Sequence, residues 1–409
     1  MRLFKYILLP AVLFLLPGIG EAGWASQTSG TTRSLYSVHF PVDAVTGYAV
    51  GQAGTVLKTT NGGAVWETLF SGTTEWLLSV HFPKDDVTGY AVGRYGTIRK
   101  TTNGGAAWVS QDSGTGSWFC SVHFPVDALT GYAVGWDGII LKTTDEGAAW
   151  VSQSSGTTQG LRSVHFPVDA VTGYVVGNTG TVLKTTNGGA VWETLFSGTT
   201  EWLLSVHFPV DAQTGYAGGG NVSGGSTILK TMNGGANWVS QTSGTAQWLY
   251  SVNFPVDALT GYAVGYLGTI IKTTDGGANW VTQTSGTTNP LSSVHFPVDA
   301  QTGYAVGDVG TILKTTDGGV GVEETAEVRV QRLEVRITAK PNPFTFFTTL
   351  PGHEAERFAL YDIAGRRIGI YKGERIGMDL RPGVYFIRAL EGKAGPRSEG
   401  RLGRIVKIR

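Results

Sequence analysis

One cysteine in 409 residues, Cys120, cannot close a disulfide within the chain, so the fold must stand on packing alone. Charge is scarce as well: charged residues make up 15% of the sequence, and the formal net charge is zero. No stretch keeps up a helical period of apolar residues, which leaves strands and turns to build the core. The neutral total conceals an asymmetry. Residues 23–324 hold 12 Lys and Arg against 21 Asp and Glu, whereas residues 325–409 hold 17 against 9. An acidic body lacks the basic surface that displaces counterions from phosphates, so nucleic acid is not an expected partner. The basic tail reads as a second domain with a different job.

What is present begins with an export-like N-terminus. Arg2 and Lys5 precede the apolar stretch "YILLPAVLFLLPGIG", and Gly20 and Ala22 are small residues at cleavage spacing. The stretch is short for a bilayer span and holds two prolines. Residues 1–22 therefore read as a signal peptide, and the cleaved chain is expected to have no transmembrane anchor.

Glycine is abundant, 60 in all, and much of it lies in a repeat. The tripeptide TGY recurs at 46–48, 88–90, 130–132, 172–174, 214–216, 260–262 and 302–304. Five intervals of 42 residues and one of 46, lengthened by an insertion in "AGGGNVSGGSTILK", separate the seven copies. Residues 44–83 and 170–209 differ at only three positions, a mark of recent duplication. Each unit divides into four short strands rich in β-branched and aromatic residues, punctuated by Gly, Pro and Asn. Seven such units predict an all-β fold, a seven-bladed β-propeller over residues 23–319. Tryptophan adds a detail. Trp24, Trp66, Trp108, Trp150, Trp192, Trp238 and Trp280 mark seven outer strands, and the last unit has none of its own. The strand at 24–28 is therefore expected to pair with 310–316 and close the ring, which removes free sheet edges. It also places cleavage before Gly23.

The turn before each Trp reads "TTNGGAVW" or a close variant, with Asn61, Asn103, Asp145, Asn187, Asn233, Asp275 and Asp317 at the same position. A short Asn or Asp side chain accepts hydrogen bonds from its own turn, and Gly tolerates positive φ. These turns resemble the Asp-box, or BNR, repeat. With "GYAVG..GTI.KTTNGG..W" they resemble the propellers of photosystem II stability and assembly factors, a likeness covering residues 23–319. The matching residues are structural, so the resemblance implies a fold more than an activity. Sialidases share the Asp-box, but the propeller's four arginines, Arg33, Arg94, Arg99 and Arg162, lie in no sialidase motif. Xyloglucan-cleaving relatives use two facing propellers, and one is present here. The Asp of the repeated "PVDA" loop reads as turn chemistry. His39, His81, His123, His165, His207 and His295 recur in "SVHF", with Asn253 at the remaining blade. No pair has the close spacing of metal ligands, so packing or hydrogen bonding is expected, with no metal or cofactor.

After a linker at 320–339, residues 340–409 alternate strands and turns and predict a small β-sandwich. The tail resembles the type A C-terminal sorting domain of the type IX secretion system. The likeness rests on "PNPF" with Asn342 and Pro343, "LYDIAGRRI" with Asp362 and Gly365, "LRPGVYFIRA" with Gly383 and Tyr385, and the terminal "RIVKIR". The segment between Phe344 and Leu360 is shorter than the family's. The resemblance implies recognition by the secretion translocon and delivery to the outer cell surface of a Gram-negative bacterium, or release from it.

Function should lie where the repeats disagree. In an up-and-down blade, the second-to-third turn and the link to the next blade share one face. Here both vary: the turns read "QA", "RY", "WD", "NT", "YL" and "DV", and the links include "TTEWL", "TGSWF" and "TAQWL". Trp76, Tyr95, Trp118, Trp136, Trp202, Trp248 and Tyr266 are expected along that rim, as packing over the blade tops or as anchors for a partner. The resulting expectation is a non-enzymatic, monomeric interaction module for a protein or glycan. An assembly-factor-like role and a glycan-binding or glycan-cleaving role are the alternatives.

Overall fold

The computed structural model describes residues 23–221 and 225–320 and, in the tail, the strands Arg357–Tyr361, Arg367–Lys372, Gly383–Glu391 and Leu402–Lys407. Two compact units divide the chain, Met1–Glu323 and Glu324–Arg409. The first contains seven four-stranded antiparallel sheets. Blade 1 is built from Leu35–His39, Gly47–Gly51, Val56–Thr59 and Glu67–Leu69, and the pattern repeats through blade 6. Blade 7 has three strands of its own, Leu291–His295, Gly303–Gly307 and Ile312–Thr315. Its fourth is the N-terminal strand Ala25–Gln27, with Ala25 opposite Lys314 and Gln27 opposite Ile312. The fold is the expected seven-bladed propeller, closed as expected.

Except at Asn221 of blade 5, the second strands are buried along their whole length, as at Gly47–Gly51, because blades cover both of their faces. Each outer strand is three residues long and largely exposed, too short to recruit another chain along its edge. The apolar cores lie between blades. Leu35, Val38, Phe40, Leu57 and Trp66 of blade 1 pack on Tyr304, Val306 and Ile312 of blade 7. Trp24 takes the corresponding seat for blade 7, edge-on to Phe296 at 5.9 Å and Tyr262 at 6.4 Å. Its Nε1 donates to Gln283 Oε1 at 3.0 Å.

The TGY tyrosine bolts neighbouring blades together. Tyr48 stacks on Phe82 of the next blade at 3.9 Å, and its hydroxyl donates to the Asp86 carbonyl at 2.8 Å and the Gly104 carbonyl at 3.1 Å. Those carbonyls belong to the "PKDD" loop and the Asp-box turn of blade 2, so one phenol ties down both repeated turns. Within the box, Thr59 Oγ1 accepts the Gly63 N–H at 2.9 Å and donates to Asn61 Oδ1 at 3.0 Å. Asn61 Oδ1 also accepts the Val65 N–H at 2.9 Å. Asn103, Asp145, Asn187, Asn233 and Asp275 repeat this knot. Asp317 closes the last turn by accepting from Thr315 and from the Gly319 N–H. In "PVDA", Asp43 Oδ1 accepts the N–H groups of Val45 and Thr46 at 2.8 and 3.0 Å, which is turn chemistry.

In the second unit the described strands form one antiparallel sheet, in the order Arg367–Lys372, Arg357–Tyr361, Gly383–Glu391, Leu402–Lys407. Gly383 opens the third strand, and Tyr385 lies in it opposite Ile405. Residues 1–22, the linker beyond residue 320, Asn342, Pro343, Asp362 and Gly365 lie outside the described residues.

Candidate binding face

In blades 1–4, 6 and 7 the variable turn is a type I′ hairpin. In blade 1, Ala53 (φ 52°) and Gly54 (φ 67°) are its central residues, and the Thr55 N–H closes it on the Gln52 carbonyl at 3.2 Å. Type I′ geometry matches the twist of the flanking strands but needs positive φ at both centres. The centres thus lie one residue later than the repeat pattern suggests, and Gln52, Arg94, Trp136, Asn178, Tyr266 and Asp308 flank the turns instead. Each flanking N–H donates to a carbonyl of the preceding link, as Arg94 does to Trp76 at 3.0 Å and Trp136 to Trp118 at 2.9 Å. The two variable segments are therefore joined on one face. Gly135 permits the approach, because a β-carbon there would collide with the Trp118 carbonyl.

A second variable position is not evident from the repeat pattern. Every inner strand carries a β-bulge, between Leu35 and Ser37 in blade 1, which leaves Tyr36 as the extra residue. Its counterparts are Leu78, Cys120, Arg162, Leu204, Tyr250 and Ser292. The Ser immediately after the bulge never changes. The turn-flanking and bulge residues meet: Arg162 Nε donates to Asn178 Oδ1 at 2.8 Å.

From these positions the side chains build an arc. Tyr36 stacks on Trp76 at 5.6 Å, and Arg94 lies over Trp76 at 3.4 Å and over Trp118 at 4.2 Å. Trp118 meets Tyr95 and Trp136 edge-on at 5.7 and 6.2 Å. Arg162 then lies over Trp136 at 4.2 Å and Trp202 at 5.1 Å. Five of the seven rim aromatics thus join through two arginines. Trp248 and Tyr266 belong to blade 6, where Trp248 meets Tyr250 edge-on at 6.3 Å; among the described residues no ring contact links them to the arc. Tyr95 (62%), Tyr266 (45%) and Trp202 (38%) are exposed, while Trp76, Trp118, Trp136 and Trp248 are half-buried. The rim is packed and accessible at once.

Its electrostatics follow from burial. Arg94 Nε is buried with no hydrogen-bond partner among the described residues. Burial pushes the Cys120 thiol up despite Arg162, whose guanidinium lies 3.9 Å from the sulfur. Burial also raises Tyr36 and Tyr250, and the Asp308 carboxylate adds to both shifts.

The histidines form a separate tier on the inner strands. His39 stacks against His295 at 4.9 Å and packs on His81 at 4.8 Å, and the series continues to His207 with spacings of 4.8 to 5.0 Å. Each Nδ1 accepts a backbone N–H from the next blade: Phe82 donates to His39 at 3.2 Å, Phe40 to His295 at 3.0 Å. The repeated Ser does likewise, Ser37 Oγ accepting from Val80 at 3.2 Å. Nδ1 is thus occupied and the neutral imidazole carries its proton on Nε2, which suits inter-blade bonding and not metal ligation. Among the described residues no His, Cys, Asp or Glu group has metal-holding geometry.

Residues 66–158 and 230–325 match a family model described as photosynthesis system II assembly factor YCF48. Among solved structures, YCF48 bound to D1 peptide aligns with a TM-score of 0.60 at 19% identity, over 73% of this chain and 99% of that one. YCF48 from Cyanidioschyzon merolae aligns at 0.60 and 20% identity, over 72% and 98%. The GH74 xyloglucanase from Xanthomonas campestris aligns at 0.58 and 15%, over 73% of this chain and 54% of that one. No curated protein sequence gives a significant match. The repeat chemistry, the blade count and these likenesses together make this chain a BNR-type seven-bladed propeller.

Proposed function

We propose that the propeller is a non-enzymatic interaction module that binds a peptide segment of another protein across the aromatic–arginine arc. Arg94 carries this reading. Its guanidinium lies over two indoles and its Nε has no partner among the described residues. An oriented, partly desolvated cation of this kind suits a carboxylate or a backbone carbonyl. Glycan platforms need an open indole face, and Trp76 has Tyr36 and Arg94 stacked over its ring. That favours a peptide over a sugar. The likeness to YCF48 bound to D1 peptide supports the same class of ligand on the same fold, and an assembly-factor-like role is one form of it.

In this proposal residues 1–22 direct export, and the tail delivers the propeller as a monomer to the outer surface of a Gram-negative cell through a type IX translocon. Peptide and glycan arrays probed with the purified protein test the binding part. Trp118→Ala or Arg94→Ala should weaken peptide capture by more than about 1 kcal/mol. Capture of glycans alone, insensitive to both changes, would reverse the reading. Cell fractionation after removal of residues 340–409 tests the sorting part, with the propeller expected to stay in the periplasm.

A further inference from the structure

We infer, resting on the reading of this face as a peptide site, that its ligand carries charges of both signs. An acidic group would seat at Arg94 and Arg162 on blades 2 and 4, and a basic group at Asp308 on blade 7. The inference comes from the two positions that repeat badly, the bulge residue and the residue flanking the type I′ turn. Across the blades these positions hold aromatic, aliphatic and neutral polar residues and only three charges: Arg94, Arg162 and Asp308.

None of the three is neutralised. Among the described residues the ion pair is Lys100 with Glu146 at 3.1 Å, which lies elsewhere. With Trp76 and Trp118 under its guanidinium and its Nε buried, Arg94 has its terminal nitrogens left for recognition, a pair that matches a carboxylate end-on. Arg162 gives its Nε to Asn178 and retains its terminal nitrogens, one of them beside Cys120.

Asp308 is half-buried. Its backbone N–H donates to the Pro290 carbonyl, and its carboxylate accepts no hydrogen bond from the described residues. The turn it begins packs against the inner strand of blade 1, where Tyr36 stands in the bulge. Asp308 and Arg94 act on the Tyr36 hydroxyl in opposite senses, so a cation and an anion flank one phenol. They do not pair with each other. A ligand bearing both charges would satisfy both, and like-charged ligands would be repelled at one end, which sets orientation. The acids Glu75, Asp137 and Glu201 lie at the link and second-turn positions instead; Ser117 Oγ donates to Asp137 Oδ2 at 3.3 Å, and Glu201 Oε2 is buried without a hydrogen-bond partner among the described residues.

The test uses the full-length protein and fluorescence polarisation with capped peptides of equal length, each holding two aromatic residues. One set is acidic at one end, one basic at one end, and one acidic and basic at opposite ends, in both chain directions. The two-signed peptide in its preferred direction should bind at least fivefold tighter than either single-signed one. Asp308→Asn should erase that advantage while leaving the acidic peptide unchanged, and Asp308→Lys should reverse the preference at that end. Arg94→Gln should weaken the acidic and two-signed peptides together. Equal binding of acidic and two-signed peptides, unaltered by Asp308→Asn, overturns the two-signed ligand and leaves the peptide reading standing. Binding of no peptide at all overturns both.

Discussion

A single phenol shows how much one side chain does in this ring. Tyr216 is fully buried, stacks on Phe254 at 3.7 Å, and donates to the Ala258 carbonyl at 2.7 Å and the Gly276 carbonyl at 3.1 Å. Burial and the nearby carboxylates of Asp257 and Asp275 push its pKa up to about 12, so it stays a donor throughout the physiological range. Tyr216→Phe keeps the stack but takes the donor from the Ala258 carbonyl, while the Gly276 carbonyl keeps Lys230 Nζ at 2.8 Å. It should cost about 1–3 kcal/mol in urea unfolding. The same change at exposed Tyr95, which has no such partner among the described residues, should leave stability nearly unaltered. At this scale TGY is legible as a repeat mark, but its role is not. The hydroxyl's partners lie 42 and 60 residues away, on another blade.

Among the elements, the strand Ala25–Gln27 is the most exposed to test. It contributes three residues of pairing and, through Trp24, the apolar plug between blades 6 and 7. Trp24→Ala should destabilise the propeller by about 3–5 kcal/mol. Deleting residues 23–28 should do at least as much, and it uncovers the edge of Ile312–Thr315, so aggregation on heating is expected alongside a lower Tm. An unchanged Tm would contradict the closure mechanism. This element is legible in the sequence alone, because counting tryptophans against blades leaves one strand over. The bulge and the type I′ turn are not legible in that way. A bulge is a mismatch of two strands, and neither strand announces it alone.

For the whole molecule, the histidine tier makes the ring sensitive to acid. Burial, reinforced by neighbouring histidines, lowers His123 to about 3, burial lowers His207 to about 4, and His295 falls to about 4 by burial and the field of His207. His39, His81 and His165 fall well below the usual range for the same leading cause. In the unfolded chain these groups titrate near 6.5, so between that value and the folded ones the unfolded state holds more protons. Stability is therefore full above about pH 6.5 and should be lost as pH falls toward 4. Protonation at Nδ1 also sets an N–H against the backbone donor of the next blade, so inter-blade bonds fail together. Chemical denaturation at stepped pH should show this slope, and His295→Asn, which copies Asn253, should flatten it. A flat profile between pH 6.5 and 4 would contradict it.

Sequence by itself determined the propeller, its blade count, its closure and the face on which its repeats diverge. Each of these is a matter of periodicity, which comparing the units along the chain displays without any knowledge of which residues meet. Tertiary structure alone decided which divergent residues meet. Arg94 and Arg162 stand out in the sequence only as two of four arginines in the propeller, and their partners Trp76, Trp118, Trp136 and Trp202 come from separate links and turns, some on neighbouring blades. Asp308 and Tyr36 stand at opposite ends of the propeller sequence and become neighbours because the ring closes. Closure converts a linear array into a circle, and only on a circle do the first and last blades share a site.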